Sequence, residues 1–478
     1  MAPGVSDPDG SPGRFVLDPA VRRTGDGRLL VGGSPRRLFR LTAAGAELID
    51  ALADRRPLGP GTSSSTLVAR LLDAGALHPV PEPGAGPFDA TDVTVVVPCR
   101  DRPDGLDELL SSLAAAGDRH AGVVVVDDGS LDPSATAAVA ARHGARLLRR
   151  QRSGGPAAAR NEGTAIVRTP LVAFIDADCF VAPGWLGPLL AQMADPTVAI
   201  AAPRVRSLPA DADGSIAASL ATYESSRSPL DLGSVPAPVR PGGRVSYVPS
   251  AAILCRRDAF EAVGGFDAAM RVGEDVDLVW RLVEGGDRVR YDPRSTVWHR
   301  PRPDLQSWLD QRLGYGSSAA ALERRHPGAV APAAMSRWSL AVWAPVLVGH
   351  PAIGAAVAAA TTVQLGRTLG DVPSSEVARL GLGGHLGAGR QLATTTVRVW
   401  WPLALLASLT GRRARRAVAA AVAVTVVDDA LSVRRAGGTP TLRTALLGLL
   451  DHTAYGAGVW RGAWRERSWR ALLPAIGR

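Results

Sequence analysis

The feature that most constrains the fold is a short apolar run followed directly by polar residues, which recurs along the chain. Residues 93–97 read VTVVV, residues 122–126 read GVVVV and residues 171–175 read LVAFI. Short runs of this kind, rich in β-branched residues, are typical of parallel strands that are buried on both faces. Helical patterns such as DGLDELLSSLAAAG separate them. The order predicts βαβ units and an α/β, doubly wound sheet over residues 92–330.

Three clusters of mostly polar residues stand where these strands end. Because the carboxyl ends of parallel strands meet at one edge of a sheet, and ligands bind beyond that edge, these side chains should line one site. They are Pro98, Arg100, Asp127, Asp128, Asp176 and Asp178.

The pair Asp176 and Asp178 indicates a cation. Two carboxylates this close repel each other unless a positive charge lies between them. They are natural oxygen ligands for Mg²⁺ or Mn²⁺, whose remaining ligands can be phosphate oxygens. A lone D-x-D motif is also common in solvated turns, so the interpretation depends on the neighbouring motifs. Of these, Asp127 and Asp128 could accept hydrogen bonds from a base or a ribose.

Two further motifs add candidate groups. The stretch GGPAAARNEG supplies glycines that permit close approach of the backbone to a ligand. It also supplies Arg160, whose guanidinium can donate two hydrogen bonds to one phosphate, and the polar side chain of Asn161. In GGFDAAMRVGEDVDLVWRL, Glu274 and Asp275 begin a predicted helix. Acidic residues there can simply cap the helix, or one of them can act as a general base toward a hydroxyl. His299 is a candidate third contact to the metal or diphosphate.

Taken in order, these motifs resemble those of the inverting family 2 glycosyltransferases, over about residues 90–325. The resemblance implies the GT-A fold, a nucleotide-diphosphate sugar donor, usually UDP-linked, and a divalent metal. It implies that Asp127 and Asp128 bind the nucleoside of the donor. It also implies that Asp275, with Glu274 beside it, is the catalytic general base. It also implies a donor site that includes Pro98, Arg100, Arg160, Asn161 and Asp176, and a metal site of Asp178, Asp176 and His299. Cys99–Arg100–Asp101 departs from the usual first loop, and the QxxRW motif of processive synthases is missing.

The N-terminal part carries a second resemblance. Residues 14–80 combine short apolar runs with two helical patterns, the first with Thr42 as a predicted N-cap and the second ending at Gly75. They are similar to the small winged-helix domains of the PqqD type, which bind precursor peptides, and residues 81–91 form a Pro- and Gly-rich linker. A head of this type, joined to a family 2 catalytic domain and an apolar C-terminal region, resembles the glycosyltransferases of the mycofactocin system over essentially the whole chain. The implied role is transfer of glucose, β-1,4-linked, to a peptide-derived redox cofactor or its precursor.

Residues 335–478 are predicted to be helical, apolar and rich in arginine. The stretch VWWPLALLASLTGRRARR joins two tryptophans, a short apolar run and four arginines, a pattern typical of a helix lying in a membrane interface. An alanine-rich soluble bundle is the alternative. The net charge of +9 comes from arginine alone, since the chain has no lysine. Arginine is suited to contact with phosphate or anionic lipid, and a GC-rich genome is the alternative explanation for its abundance.

The remaining composition narrows the location and the partners. Three scattered cysteines, Cys99, Cys179 and Cys255, favour neither a disulfide framework nor a zinc site and fit a reducing cytosol. The N-terminal 15 residues show no apolar core of a secretion signal. We therefore expect the cytoplasmic face of a bacterial membrane. The first helix has no basic recognition face, so nucleic acid is not an expected partner.

Two other functions remain open from the sequence. One is a family 2 enzyme that builds cell-envelope polysaccharide on a lipid acceptor. The other is a non-catalytic docking protein whose sheet senses a nucleotide.

Overall fold

A computed structural model describes residues 15–24, 26–54, 56, 66–84, 86–209 and 215–477 of the chain. The stretch behind the secretion-signal prediction lies outside these ranges, except for Phe15. The chain groups into two compact units. The first unit comprises residues 1–208 and 228–300, and the second comprises residues 209–227 and 301–478.

The strands of the first unit are β1 (Phe15–Leu17), β2 (Arg22–Thr24), β3 (Leu29–Gly32), β4 (Arg37–Arg40), β5 (Leu77–Pro79), β6 (Val93–Cys99), β7 (Gly122–Asp127), β8 (Arg146–Arg149), β9 (Leu171–Ile175), β10 (Cys179–Val181), β11 (Val198–Ser207), β12 (Ala237–Pro238), β13 (Ala252–Arg256) and β14 (Arg288–His299). Its helices are α1 (Ala43–Ala53), α2 (Thr66–Ala74), α3 (Pro103–Ala116), α4 (Pro133–Arg142), α5 (Pro156–Thr164), α6 (Leu186–Gln192), α8 (Arg257–Ala262) and α9 (Glu274–Glu284), while α7 (Ile216–Arg227) belongs to the second unit.

The other elements of the second unit are α10 (Leu305–Ser317), α11 (Ala319–Arg325), α12 (Arg337–Leu347), α13 (Pro351–Leu369), α14 (Ser374–Arg398), α15 (Trp401–Leu409), α16 (Arg412–Arg435) and α17 (Leu442–Arg465), with the short parallel strands β15 (Ala334–Ser336) and β16 (Ala475–Gly477).

The head module, which we define as β1 to β5 with α1 and α2, has its own small core. A meander of β2, β3 and β4 and an antiparallel pair of β1 and β5 enclose the two helices. The side chain of Thr42 accepts a hydrogen bond from the Gly45 N–H, as predicted for an N-cap. Apolar side chains of both helices pack with those of the strands: Leu30, Phe39, Ile49, Leu52, Val68, Leu71, Leu72 and Leu77. Kinship with PqqD-type domains stays a prediction.

The central sheet of the first unit is mixed and has the strand order β10-β14-β11-β13-β9-β6-β7-β8, with β12 paired to β14. The predicted strands β6, β7 and β9 are parallel and are joined by β8 in the same direction, with helices α3, α4 and α5 in the crossovers. The chain leaves β6 toward β7 on one side, while β9 lies on the other. Crevices open at such a switch point, beyond the carboxyl ends of the strands. Antiparallel pairing of β13 with β9 and with β11 extends the sheet beyond the predicted strands.

The second unit is mainly helical. The apolar stretch from Trp338 to Gly366 is divided between α12 and α13, which are separated at Gly349 and His350, directly before Pro351. In the described ranges, no single helix has the length and apolarity to cross a membrane. The bent pair of α14 and α15, at 87°, meets these criteria together.

Candidate active site

Asp178 and His299 are brought together by strand pairing. Strand β9 ends at Ile175, and the chain turns through Asp176 and Asp178 into β10. Strand β10 pairs antiparallel with β14, with Cys179 opposite His299. The Nε2 atom of His299 therefore lies 3.6 Å from Oδ1 of Asp178. Both side chains are largely buried, and the Nδ1 atom of His299 has no hydrogen-bond partner among the described residues.

An arginine from the loop after β6 also reaches Asp178. Nη1 of Arg102 lies 2.9 Å from Oδ2 of Asp178, and the Arg102 side chain is 43% exposed. Helix α3 approaches this turn so closely that a Cβ atom at Gly105 would lie 2.6 Å from the carbonyl oxygen of Ala177. The tight packing fixes the turn that carries the D-x-D motif.

Asp176 faces a different group from Asp178. The fully buried guanidinium of Arg160, on α5, lies 2.6 Å from Oδ1 of Asp176 and 3.1 Å from Oε1 of Glu274. Its Cζ atom lies 5.2 Å from the centroid of the Phe266 ring. Arg160 thus links the end of β9 to the start of α9. Arg160 is therefore a bridge between carboxylates, and its contact with a phosphate of the donor stays a prediction.

Asp275 lies in the first turn of α9, next to Glu274. Its Oδ2 accepts from the Ser250 N–H at 3.2 Å, and its Oδ1 accepts from the Val276 N–H at 2.8 Å. Burial raises the pKa of Asp275 above its ordinary value, against the opposing effect of these two N–H donors. Burial and the neighbouring Asp275 carboxylate raise the pKa of Glu274 to about 7, although Arg160 opposes the shift. Carboxyl groups with raised pKa values are suited to accept a proton near neutral pH.

Asp127 and Asp128 lie at the same edge of the sheet, at the end of β7. Oδ1 of Asp127 accepts from the Ser130 N–H and Oδ2 from Arg149, both at 2.9 Å. The Asp128 carboxylate accepts from the backbone N–H groups of Gly154 and Gly155 and from the Ser153 hydroxyl. These oxygens hold the loop before α5, so contact with a nucleoside would require some of these bonds to be exchanged. Their assignment to the nucleoside stays a prediction.

The remaining predicted donor residues lie around this loop. Arg100 follows β6 and donates to the Ser153 hydroxyl at 3.1 Å, while Pro98 lies within β6 itself. The Asn161 amide exchanges two hydrogen bonds with the Phe266 backbone, donating to O at 2.7 Å and accepting from N at 3.0 Å. Asn161 therefore joins α5 to the loop before α9.

Several contributors to the site were missed by reasoning from sequence. Arg102 and Arg149 are isolated arginines in an arginine-rich chain, so their positions carried little signal. Ser250 contributes only its backbone N–H, which no side-chain motif reveals. Its place two residues before β13 becomes informative once β13 is known to pair with β9, which ends beside Asp176.

No group of three or more histidine, cysteine, aspartate or glutamate side chains within the described ranges could hold a metal ion. Asp178 and His299 are two side chains that could both contact one metal ion, because Nε2 of His299 lies 3.6 Å from Oδ1 of Asp178. A cation there would need further ligands, such as diphosphate oxygens and water, which commonly complete an Mg²⁺ site that has one or two protein carboxylates.

A mixed sheet of this order, with acidic side chains at its switch point and a buried carboxylate pair on a neighbouring helix, defines a transferase of the GT-A class. The family described as "Glycosyl transferase family 2" matches residues 94–264. The pre-mycofactocin glycosyltransferase of Mycobacterium tuberculosis strain H37Rv is 42% identical over 472 residues, covering 96% of this chain and 97% of the relative. The chain belongs to the family 2 glycosyltransferases and, within them, to the family of the pre-mycofactocin glycosyltransferases.

Other relatives share only part of the chain. The succinoglycan biosynthesis protein ExoU of Rhizobium meliloti is 35% identical over 211 residues, covering 42% of this chain and 59% of that protein. Among solved structures, the mannosyltransferase PcManGT from Pyrobaculum calidifontis, in complex with GDP-Man and Mn²⁺, covers 80% of this chain and 89% of its own. Its TM-score is 0.43 and its identity 17%. Likeness at this level carries no argument about residues or ligands.

Proposed function

We propose that this enzyme is an inverting, metal-dependent hexosyltransferase. It moves glucose from UDP-glucose to a hydroxyl of the peptide-derived redox cofactor mycofactocin, or of its precursor, and builds a β-1,4-linked oligosaccharide. The observation that carries the proposal is that the Arg160 guanidinium pairs with both Asp176 and Glu274, while Asp178, in the same turn as Asp176, lies beside His299. The similarity to pre-mycofactocin glycosyltransferases supports the acceptor.

Asp178 and His299 fit a divalent cation, Mg²⁺ or Mn²⁺, as two of its ligands. Oδ1 of Asp178 and Nε2 of His299 lie 3.6 Å apart. The other carboxylate oxygen of Asp178, Oδ2, is paired with the Arg102 guanidinium. When bound, such a cation would offset the negative charge that develops on the departing diphosphate. Asp176 is the third predicted ligand. Its Oδ1 accepts from Arg160, and its contact with the cation stays a prediction.

The residues around Asp275 support a direct displacement. The acceptor hydroxyl forms a bond to the anomeric carbon, the bond to UDP breaks, and UDP leaves with the electron pair. Asp275 takes the proton of the hydroxyl, because its oxygens are fixed by the Ser250 and Val276 N–H groups and its pKa is raised by burial. Attack opposite the leaving group inverts the anomeric configuration.

The product of the purified chain tests this proposal. We expect UDP-glucose, Mn²⁺ and the precursor of mycofactocin to give products heavier by whole hexose units in mass spectrometry, with β-linkages in NMR spectra. A parallel reaction offers a polyprenyl phosphate as acceptor. Transfer to the lipid alone would favour the cell-envelope alternative, and absence of transfer and of UDP release with both acceptors would contradict sugar transfer from this donor.

The pH dependence of transfer should move when Glu274 is replaced by glutamine. The base must be ionised, so kcat/KM falls as the pH drops through its raised pKa. Glu274→Gln removes a negative charge beside Asp275 and frees Arg160 to act on it, and both effects lower the pKa of Asp275. We expect the acidic limb of the kcat/KM profile to shift to lower pH. A limb that stays in place or moves upward would contradict the proposed coupling.

We also propose that the second unit attaches the enzyme to an anionic membrane surface, on the cytoplasmic face of the membrane. Helix α15 has no buried residue, and Leu403, Leu405, Leu406 and Leu409 are each more than half exposed. The following helix, α16, begins with four exposed arginines, Arg412, Arg413, Arg415 and Arg416. Apolar side chains beside arginines suit insertion into the interface with headgroup contact.

Vesicle binding tests this attachment. We expect the full chain to sediment with phosphatidylglycerol-containing vesicles, and replacement of the four arginines by glutamine to weaken binding by about 100-fold or more, since each contributes about 1 kcal/mol. The matched control removes the same charge from exposed arginines of the first unit: Arg36, Arg37, Arg142 and Arg146. Equal losses in both variants would indicate non-specific attraction by net charge and would contradict a site at α15 and α16.

A further inference from the structure

We propose that the head module positions the catalytic base, through a connecting segment formed by residues 237–250. The segment touches the head module near its start and Asp275 at its end. The inference rests on the proposed role of Asp275 and adds a role for the head module within the catalytic step itself.

The first contact is made by Arg244. Its Nη2 donates to Oδ2 of Asp18 at 2.7 Å, and its backbone N–H donates to the Ser34 hydroxyl. Asp18 is 3% exposed, and the same oxygen lies 2.8 Å from Nε2 of the buried His78. A buried carboxylate is stabilised only when its partners are in place, so Arg244 is held firmly by the head module.

A second contact is made by Arg240. Its guanidinium donates to the carbonyl oxygen of Ser34 at 2.6 Å and to that of Asp73. Pro238 packs against the end of α2, where a Cβ atom at Gly75 would come 3.1 Å from Pro238 Cγ. Glycine at this position, which has a φ of +66°, therefore allows both the turn and the close approach.

The start of the segment is fixed to the central sheet. Pro238 lies opposite Arg290 of β14, and the Val239 N–H donates to the Val289 carbonyl at 2.9 Å. The chain then folds back, since the Arg240 N–H donates to the Val245 carbonyl at 3.1 Å. Residues 240–250 belong to no strand or helix, so beyond the sheet their order depends on the head contacts of Arg240 and Arg244 and on the contacts with α9.

The far end of the segment meets the helix that carries the base. The Ser246 carbonyl accepts from Nε1 of Trp280 at 2.7 Å, and the Ser250 N–H donates to Oδ2 of Asp275 at 3.2 Å. Trp280 and Asp275 both belong to α9. A shift of the segment would therefore change the hydrogen bond to Oδ2 of Asp275, the proposed base.

The test is the double variant Arg240→Ala/Arg244→Ala of the full chain. We expect faster amide hydrogen exchange across residues 237–250, including the Ser250 N–H, than in the wild type. In transfer from UDP-glucose to the mycofactocin precursor, we expect kcat to fall by about tenfold because the base is displaced. The donor KM should stay unchanged, since the residues assigned to the donor lie in other loops. A general loss of structure would not produce this separation of kcat from KM.

A matched control removes the same charge from the head module, away from the connecting segment. Arg28→Ala/Arg36→Ala replaces two exposed arginines of the head and should leave both exchange and kcat as in the wild type. If the first double variant fails to fold, Ser34→Ala removes only the hydroxyl that accepts from the Arg244 N–H, and should give smaller changes in the same direction.

Unchanged exchange at Ser250 in the folded double variant would overturn the proposal, as would faster exchange with normal kcat. The exchange measurement needs no substrate, so it stands apart from the proposed function. Suppose that exchange at Ser250 rose in the variant but the wild type transferred no sugar. The coupling between the head module and Ser250 would then be supported, and the role of Asp275 as the base of sugar transfer would be contradicted.

Discussion

Replacement of Asp275 by asparagine is expected to lower kcat for sugar transfer by about 10²- to 10⁴-fold, the usual contribution of a general base. Asparagine has nearly the same shape, and its carbonyl oxygen can accept from either the Ser250 or the Val276 N–H, so the start of α9 should persist. The amide cannot take the proton of the acceptor hydroxyl. The measurement is kcat with both substrates saturating.

The matched control for this variant is Glu284→Gln, at the exposed C-terminal end of the same helix. It removes one carboxylate from α9 without touching the site, and should turn over as the wild type does. Circular dichroism and the thermal midpoint should match between the two variants. Near-normal turnover in a folded Asp275→Asn protein would contradict the role of Asp275 as the general base.

The second large effect is expected in the stability of the first unit. Arg160→Met leaves Asp176, Glu274 and Asp275 without the buried cation that stands among them. Loss of one partner from a buried ionic cluster costs about 3–5 kcal/mol, because the remaining charges stay buried without compensation. We expect a loss of this size in the free energy of unfolding from denaturant titration, together with loss of activity.

An exposed arginine provides the comparison for Arg160. Arg142 lies 2.6 Å from Asp107, and its side chain is 60% exposed, so Arg142→Met should cost no more than about 1 kcal/mol. Equal losses in the two variants would mean that the Arg160 cluster contributes little beyond a surface ion pair. Glu274→Gln combined with Arg160→Met should recover part of the lost stability, since one of the uncompensated carboxylates is then gone.

The parallel half of the sheet could be predicted because its strands are short, apolar and β-branched, and because each ends in a polar residue. Local sequence also determines the cap at Thr42 and the break before Pro351. The antiparallel half was harder to see. Strand β14 mixes arginines with aromatic and small residues, and its pairing with β10 and β11 is long-range, so no local pattern announces it.

The same reasoning explains which site residues could be found. Asp176, Asp178, Glu274 and Asp275 stand in recognisable motifs, and sequence placed them at one site. Their partners are decided by packing: Arg160 bridges carboxylates because the aromatic cluster around Phe266 and the end of β9 enclose it. Sequence could not distinguish such a buried arginine from the many solvent-facing ones.

The most direct test of the central claim, that Asp178 and His299 hold a cation which carries the diphosphate, is Mn²⁺ binding measured by electron paramagnetic resonance with and without UDP. We predict Mn²⁺ binding that is strengthened by UDP, and a Kd raised more than about tenfold in Asp178→Asn. The unfolding midpoint of that variant should stay close to that of the wild type. Wild-type Mn²⁺ affinity in a folded Asp178→Asn protein, with UDP present, would contradict the account.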